Sequence, residues 1–368
     1  SGIFYSVPNL RYYHSDKLSK VKLGNICSIT GGYAFDSRKM KSKGEYQIIK
    51  MGNLYNGVLD LTRNPSFIDN PTKKELEYLI HKNDILITLT GTVNKKDYGY
   101  TVQLNNPNNL LLNQRCALIK PLNINEKYLF YLLNSNNFFK QFYASSTGGT
   151  GNQTNVSIND MLNFNMYIAN EKNQIIISEF LNKIDQRIET QIKIIKDLKM
   201  QRDHLIHSVF SSMNSKLLLI TDIAEVYQPQ TISSEKFDEG AEFPVFGANG
   251  IIGHYEKYNH ENEQICIACR GSSVGTINIS KKKSWITGNS MVINSDNYDD
   301  MIDKKFLYYQ LMFIDFYKYI SGSGQPQITR ESLKNLKIKV PSLAIQHSIS
   351  NFLNHIDLKI TIEAELLC

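Results

Sequence analysis

The sequence predicts an α+β chain made from one unit used twice. Each copy is a small irregular sheet with short helices, followed by one long helix. Three observations predict this. Segments recur in the same order along the chain: ILITLTGT at 85–92 and ICIACRGS at 265–272, YLFYLL at 128–133 and FLYYQL at 306–311, GNQTNVSINDMLNF at 151–164 and GQPQITRESLKNL at 324–336, SEFLNKIDQRI at 178–188 and SNFLNHIDLKI at 350–360. The spacing between partners drifts only from 172 to 180 residues, as loop insertions allow in an internal repeat of pseudo-two-fold character. Short apolar runs broken by Gly, Asn, Asp and Pro precede each long helix and read as strands and turns. Finally, two apolar seams step by fours and threes, the signature of a coiled-coil face.

Taken in order, residues 1–19 form an N-terminal segment and 20–169 a first globular region. Its runs YQIIKMGNL, NDILITLTGT and NQRCALIKPL predict strands; Glu126–Ser135, Asn137–Tyr143 and Ile158–Asn163 predict helices. Residues 170–213 form a spacer helix, since Glu171 to Met213 contains neither Pro nor Gly. Its seam reads Ile177, Leu181, Ile184, Ile188, Gln191, Ile195, Leu198, Arg202, Leu205, Val209. A continuous helix there would be roughly 60 Å long. Residues 214–341 repeat the globular pattern, through FPVFGANGIIGHY, EQICIACRGSSVGTINI, WITGNSMVI, KKFLYYQLMFIDFYKYI and RESLKNL. Residues 342–368 form a second helix with seam Ile349, Leu353, Ile356, Ile360, Glu363, Leu367. Glu363 stands where the first seam has Gln191, so even the polar break repeats; such a break fixes register in a coiled coil.

Composition narrows the class. With 42% hydrophobic and 21% charged residues, the chain has enough apolar content for two packed cores. A net charge of +6 permits nucleic-acid binding without demanding it. The N-terminus lacks the apolar stretch of a signal peptide, and no run reaches the length of a membrane span. Five scattered cysteines, an odd number, are expected to be free thiols in a reducing cytoplasm. Cys266 and Cys269 form a CxxC, but in a strand these positions face opposite ways, and no second pair or His pair completes a zinc shell. The histidines form no spaced cluster, and there is neither a GxxxxGK[ST] loop nor a Glu-x-Lys triplet. Asn64-Pro65-Ser66-Phe67 lacks the second proline of the NPPY-type methyltransferase motif, and Phe246-Gly-Ala-Asn-Gly250 reads as a turn. No catalytic or metal-binding residue is therefore assigned.

What does recur is a set of turns loaded with Gly and small polar residues: Thr147 to Gln153 with Ser321 to Gln325, Thr90-Gly-Thr92 with Arg270-Gly-Ser272, and Asn113-Gln114-Arg115 with Gly288-Asn289-Ser290. Ordinary turns favour Gly, Asn and Ser as well. Recurrence at corresponding places in both halves points instead to a shared binding role. Gly lets backbone approach a partner; Asn, Gln and Arg carry the donor and acceptor pairs that read base edges; Ser and Thr suit phosphate oxygens. The candidate DNA contacts are Thr90, Thr92, Asn113, Gln114, Arg115, Asn152 and Gln153 in the first half. In the second they are Arg270, Ser272, Asn289, Ser290, Gln325 and Gln327. Lys281-Lys282-Lys283 beside Trp285 reads as a solvated hairpin tip.

Two globular regions alternating with two matching helices resemble a type I restriction-modification specificity subunit. The carriers are KVKLGNICSITGG at 20–32, the GNQ and GQPQI segments, and the helix EFLNKIDQRIETQIKIIKDLKMQRDHLIHSVFS at 179–211. The resemblance implies that each region is a target recognition domain reading one half of a bipartite, asymmetric site in double-stranded DNA. It implies that the helices pair antiparallel as a spacer and that methyltransferase (M) and restriction/translocase (R) subunits dock on this scaffold. S-adenosylmethionine, ATP and Mg would then belong to those partners, and the chain itself would be non-catalytic and cytoplasmic. Recognition chains of related type IIB and IIG systems share this pattern, and a coiled-coil scaffold without DNA is the other alternative. In such a pair, Cys368 stands at the position of Lys196, so the second helix stops where the first continues. That would leave Ile177, Leu181, Ile184 and Ile188 as bare seam, open to self-association or to an M subunit. The packing residues expected further along are Ile195, Leu198, Ile349, Leu353, Ile356 and Ile360.

Overall fold

The computed structural model describes residues 18–55, 57–148, 152–321 and 326–367. The chain divides into two units, one ending at Arg187 and the other starting at Ile188. In the first unit the strands are β1 (Ser19–Lys22), β2 (Cys27–Gly31), β3 (Tyr46–Ile49), β4 (Leu54–Tyr55), β5 (Val58–Leu59) and β6 (Phe67–Ile68). Helix α1 (Lys73–Leu76) follows, then β7 (Ile85–Thr88), β8 (Thr90–Thr92), β9 (Thr101–Gln103), β10 (Leu110–Leu112) and β11 (Cys116–Pro121). Helices α2 (Glu126–Leu133) and α3 (Asn136–Ala144), strands β12 (Thr147–Gly148) and β13 (Gln153–Asn155), helix α4 (Ile158–Leu162) and strand β14 (Asn165–Ile168) complete it.

Strand β7 organises this unit. Its four residues, ILIT, are all buried, as a strand covered on both faces must be. Because side chains alternate, Ile85 and Ile87 join one core with Leu129, Leu133, Phe138 and Phe142 of α2 and α3. Leu86 joins another with Ile49, Leu110 and Leu112. The layers follow from that alternation: helices, the antiparallel sheet β2-β11-β7-β9, then the sheet β10-β3-β6, in which β3 and β10 run parallel. Strands β1 and β14 pair antiparallel and bring the two ends of the unit together.

In the second unit the strands are β15 (Lys216–Leu219), β16 (Glu225–Tyr227), β17 (Phe243–Gly247), β18 (Gly250–Tyr255), β19 (Ile265–Ala268), β20 (Ile277–Ile279), β21 (Trp285–Ile286) and β22 (Ser290–Asn294). Helix α6 (Lys304–Phe313), a 3-10 turn at Phe316–Tyr319, helix α7 (Arg330–Leu333) and strand β23 (Lys337–Val340) follow. The 42-residue helix Glu171–Ser212, within which the two units divide, is α5, called αS below, and the last helix, Leu343–Glu365, is α8, called αC. Sheet orders β16-β22-β19-β20, β21-β17-β18 and β15-β23 repeat the orders β2-β11-β7-β9, β10-β3-β6 and β1-β14 of the first unit, and isolated bridges at Arg270, Ser321 and Gln327 stand where the first unit has the sheet β12-β13-β8. Strand β19 plays the part of β7. Ile265, Ile267 and Cys269 enter the core with Phe306, whereas Cys266 joins Phe246, Ile286 and Val292. The CxxC cysteines therefore do face opposite ways. Burial pushes the Cys266 thiol up to about 12, as it does those of Cys27 and Cys116.

The long helix spans Glu171–Ser212, one residue short of the predicted end. In unit 1, α2 is tied to it through Lys127 Nζ to Asn182 Oδ1 (2.5 Å) and Tyr131 Oη to Asp185 Oδ2 (2.7 Å). In unit 2, α6 is tied to αC at the matching places, Lys305 Nζ to Asn354 Oδ1 (3.1 Å) and Tyr309 Oη to Asp357 Oδ2 (2.7 Å). Gln191 Nε2 donates to the Glu363 backbone oxygen at 2.8 Å, and Arg202 Nη1 to Asp357 Oδ1 at 2.9 Å. The expectation of a bare seam at the start of αS is corrected here: Leu181 is only 6% exposed, and Ile177, Ile184 and Ile188 are half-buried. The apolar residues left exposed, Ile175, Ile176 and Phe180, lie off the seam. Ile195, Leu198, Ile349 and Ile356 are half-buried, and Leu353 and Ile360 are buried. Among the described residues no helix is long and apolar enough to cross a membrane.

Candidate nucleic-acid interface

In unit 1 the separate polar turns converge on one ribbon, β12-β13-β8. Its register sets Gln153 opposite Thr92 and Asn155 opposite Thr90. Directly opposed residues share a face, so these four polar side chains stand together. Gln153 and Asn155 are exposed, and the intervening Thr154 is buried, with its hydroxyl bonded to Thr147 O at 3.0 Å. Gly91 also points inward. A Cβ there would lie 2.3 Å from the Tyr98 ring, so the TGT segment needs glycine at its centre. Thr90 Oγ1 donates to Asn155 Oδ1 at 3.0 Å. Thr92 donates to Asp97 from both backbone nitrogen (2.8 Å) and hydroxyl (2.7 Å). Partial burial pushes the Asp97 carboxyl up, but these bonds outweigh it and hold it below the usual carboxylate range. Asn152 is exposed, and its backbone oxygen accepts from Val93 N at 3.1 Å.

Leu89 joins this ribbon to the Asn113-Gln114-Arg115 turn. Its N–H donates to Arg115 O (3.0 Å), and its own carbonyl accepts from Val156 N (3.0 Å). Gln114 and Arg115 are exposed beside the ribbon, and Asn113 is half-buried. Unit 2 repeats the device with Cys269 in place of Leu89. Cys269 N donates to Asn289 O (3.0 Å), and Cys269 O accepts from Ile328 N (3.0 Å). Gln327 bridges both Arg270 and Ser321, as Asn155 meets Thr90 and Thr147 in unit 1. Arg270, Ser272 and Asn289 are exposed and Gln327 is half-buried. Gln325 lies outside the described residues.

The hydrogen bonds shift one sequence match by a residue. Asn113 N to Ile49 O and Cys116 N to Asn113 O recur as Thr287 N to Phe246 O and Ser290 N to Thr287 O. Arg115 therefore corresponds to Asn289, and Ser290 to the buried Cys116. Ser290 is accordingly 0% exposed, its hydroxyl donating to Gly247 O at 3.0 Å, and it is withdrawn as a DNA contact. Two exposed polar residues escaped the sequence reading. Asn155 was signalled by the alternation in Gln153-Thr154-Asn155 and by its counterpart Gln327. Gln228, which follows β16, had no repeat partner to reveal it. Its Nε2 donates to Gly288 O in the turn beside Asn289.

Comparison with known proteins agrees with this geometry. The sequence profile of the type I restriction modification DNA specificity domain matches residues 16–200 and 215–367. The specificity subunit of the Escherichia coli type I restriction enzyme EcoprrI is 26% identical over 166 residues, 44% of this chain and 41% of that protein. The putative type I restriction enzyme MjaX specificity subunit of Methanocaldococcus jannaschii is 23% identical across 95% of this chain and 91% of its own length. The crystal structure of a type I restriction-modification system S subunit from M. genitalium superposes with a TM-score of 0.64 at 19% identity, covering 96% of this chain and 92% of the other, so the fold is shared. With its profile matched twice, along nearly the whole sequence, the chain belongs to the family of type I restriction modification DNA specificity domains.

Proposed function

We propose that this chain is the specificity subunit of a type I restriction-modification enzyme, in which each unit reads one half of a bipartite, asymmetric DNA site. One observation carries the reading: the same main-chain bonds and bridges join a polar turn to a bridged segment in both units, but the two units display different side chains there. Thr90, Asn155 and Arg115 stand where unit 2 has Arg270, Gln327 and Asn289. A constant frame with variable donors and acceptors suits two different base sequences. The recognition domains take residues 20–169 and 214–341, and the helices at 170–213 and 342–368 act as an antiparallel spacer. Support for a pseudo-two-fold arrangement of that spacer comes from Gln191 and Glu363. These residues are repeat equivalents, and they bond to each other, as equivalent residues do on a two-fold axis. The chain supplies the address. Methylation and cleavage belong to M and R subunits, which would hold S-adenosylmethionine, ATP and Mg.

Exchanging residues 20–169 for the matching region of a relative tests this reading. The assembled enzyme should then methylate a site with one half altered and the other intact. A site unchanged, or changed in both halves, contradicts it.

A further inference from the structure

Unit 2 carries a polar group beside its Gly288-Asn289 turn that unit 1 does not have. Gln228 directly follows β16, where Tyr227 pairs with Val292. In unit 1 the strand pairing Ile29 with Ile119 continues to Gly31, and Gly31 is the residue in the place of Gln228. Gln228 is exposed yet fixed. Its Nε2 donates to Gly288 O and lies 3.7 Å from Cys269 Sγ, the residue that ties the ribbon to the turn. Pro229 confines Gln228 to extended backbone. Trp285 Nε1 donates to Gln230 O at 3.3 Å and pins the segment from the other side. The segment passes so close over Gly288 that a Cβ there would lie 2.5 Å from Thr231 Oγ1 and 2.8 Å from Pro229 O. Gly288 is thus the glycine that lets Gln228 sit against the reading turn.

With Nε2 held by the protein, the acceptor Oε1 is the part of the carboxamide left for a ligand; among the described residues it takes no hydrogen bond. In the major groove the groups that donate to such an acceptor are the exocyclic amines of adenine and cytosine. Resting on the DNA reading above, we propose that Gln228 is a specificity-determining residue of unit 2, its Oε1 accepting from the exocyclic amine of one base in that unit's half-site. Unit 1, with Gly31 in this place, makes no such contact.

The test uses the chain assembled with its methyltransferase subunits and a duplex carrying its mapped target. Each adenine or cytosine of the half-site is replaced in turn by the analogue lacking the amine, and binding is compared for the native chain and Gln228→Met. The native complex should lose about 10- to 100-fold in affinity at the contacted base. Gln228→Met should bind the normal duplex more weakly by a similar factor and show no further loss at that one base, while every other penalty stays as it was. A merely structural role would weaken binding everywhere and leave all penalties in place, which overturns the proposal. If Arg270→Ala changes a penalty and Gln228→Met changes none, the proposal fails and the DNA reading stands. If neither changes any penalty, the reading of unit 2 fails with it.

Discussion

The two units agree in backbone and differ in what the backbone displays. Leu89 and Cys269 make the same pair of hydrogen bonds, and each joins a turn to a ribbon. Yet the arginine changes place. In unit 1 it is Arg115 on the turn; in unit 2 it is Arg270 on the ribbon, with Asn289 on the turn. The glycine that permits close approach changes sides as well. In unit 1 it is Gly32, where a Cβ would fall 2.2 Å from Asn113 O; in unit 2 it is Gly288, against Pro229 and Thr231. On the proposed reading, the difference teaches that the main-chain bonds fix where a reader would stand, and that few side chains would decide what is read. Cores show the same separation: β7 and β19 are buried on both faces in both units, whatever their ribbons carry.

The largest effect that would break this comparison is expected at Gly32. The atoms a Cβ would strike there are backbone, with no side chain free to turn away. Gly32→Ala should cost about 3 kcal/mol or more of stability, measured by equilibrium denaturation. At Gly288 one close atom is the Thr231 hydroxyl, which can rotate, and the single close backbone atom, Pro229 O, is farther off at 2.8 Å, so Gly288→Ala should cost less. Equal costs would mean the two glycines do not have the roles assigned.

Next come the paired tyrosines. Tyr131 and Tyr309 each donate to an aspartate on the following helix at 2.7 Å. Tyr131→Phe and Tyr309→Phe should each destabilise by about 1–2 kcal/mol. A large effect at one and none at the other would show that the tie between helices is not shared.

Alkaline pH sharpens the comparison of cores. The thiols of Cys116 and Cys266 stand in matching sheets, and burial raises both from 9.0 to about 12. A raised folded value means the unfolded chain loses its proton first. Stability from each is therefore complete below pH 9 and declines as pH rises toward 12. Cys116→Ala should flatten that decline by up to about 1.4 kcal/mol per pH unit, seen in denaturation midpoints between pH 9 and 11. An unchanged slope would contradict burial of that thiol.

The smallest expected effect concerns charge. With a net charge of +6 spread over two units, DNA affinity should fall with added salt, and Arg115→Ala and Arg270→Ala should each reduce the salt slope only if the lost contact is to phosphate. Base readers should leave that slope nearly unchanged.

Much of the fold was legible because its signals are local or repeated. The absence of Pro and Gly from Glu171 onward marked the long helix to within a residue of its end. Strand alternation correctly set Cys266 and Cys269 on opposite faces. Other features depend on long-range pairing, which a pattern of residue types does not contain. The residue pattern alone sets Gly-Asn-Ser against Asn-Gln-Arg and Ser290 on the surface; the ladder shifts the match by one residue, and in a strand that shift exchanges inside for outside. The heptad pattern alone leaves the seam at Leu181 without a cover, but Leu181 is buried in the fold. Gln228 carries no such signal, because a repeat shows only what two copies share, and Gly31 offers no side chain to match it.

The most direct measurement is the methylated-adenine map of cells carrying the complete enzyme with Arg115→Ala or with Arg270→Ala. Each arginine belongs to one unit only, so each change should relax a position in one half-site and leave the other half as it was, with discrimination falling by about 1–3 kcal/mol at the relaxed base. Relaxation of the same half by both substitutions, or of both halves by either one, would contradict separate reading by two units on a shared scaffold.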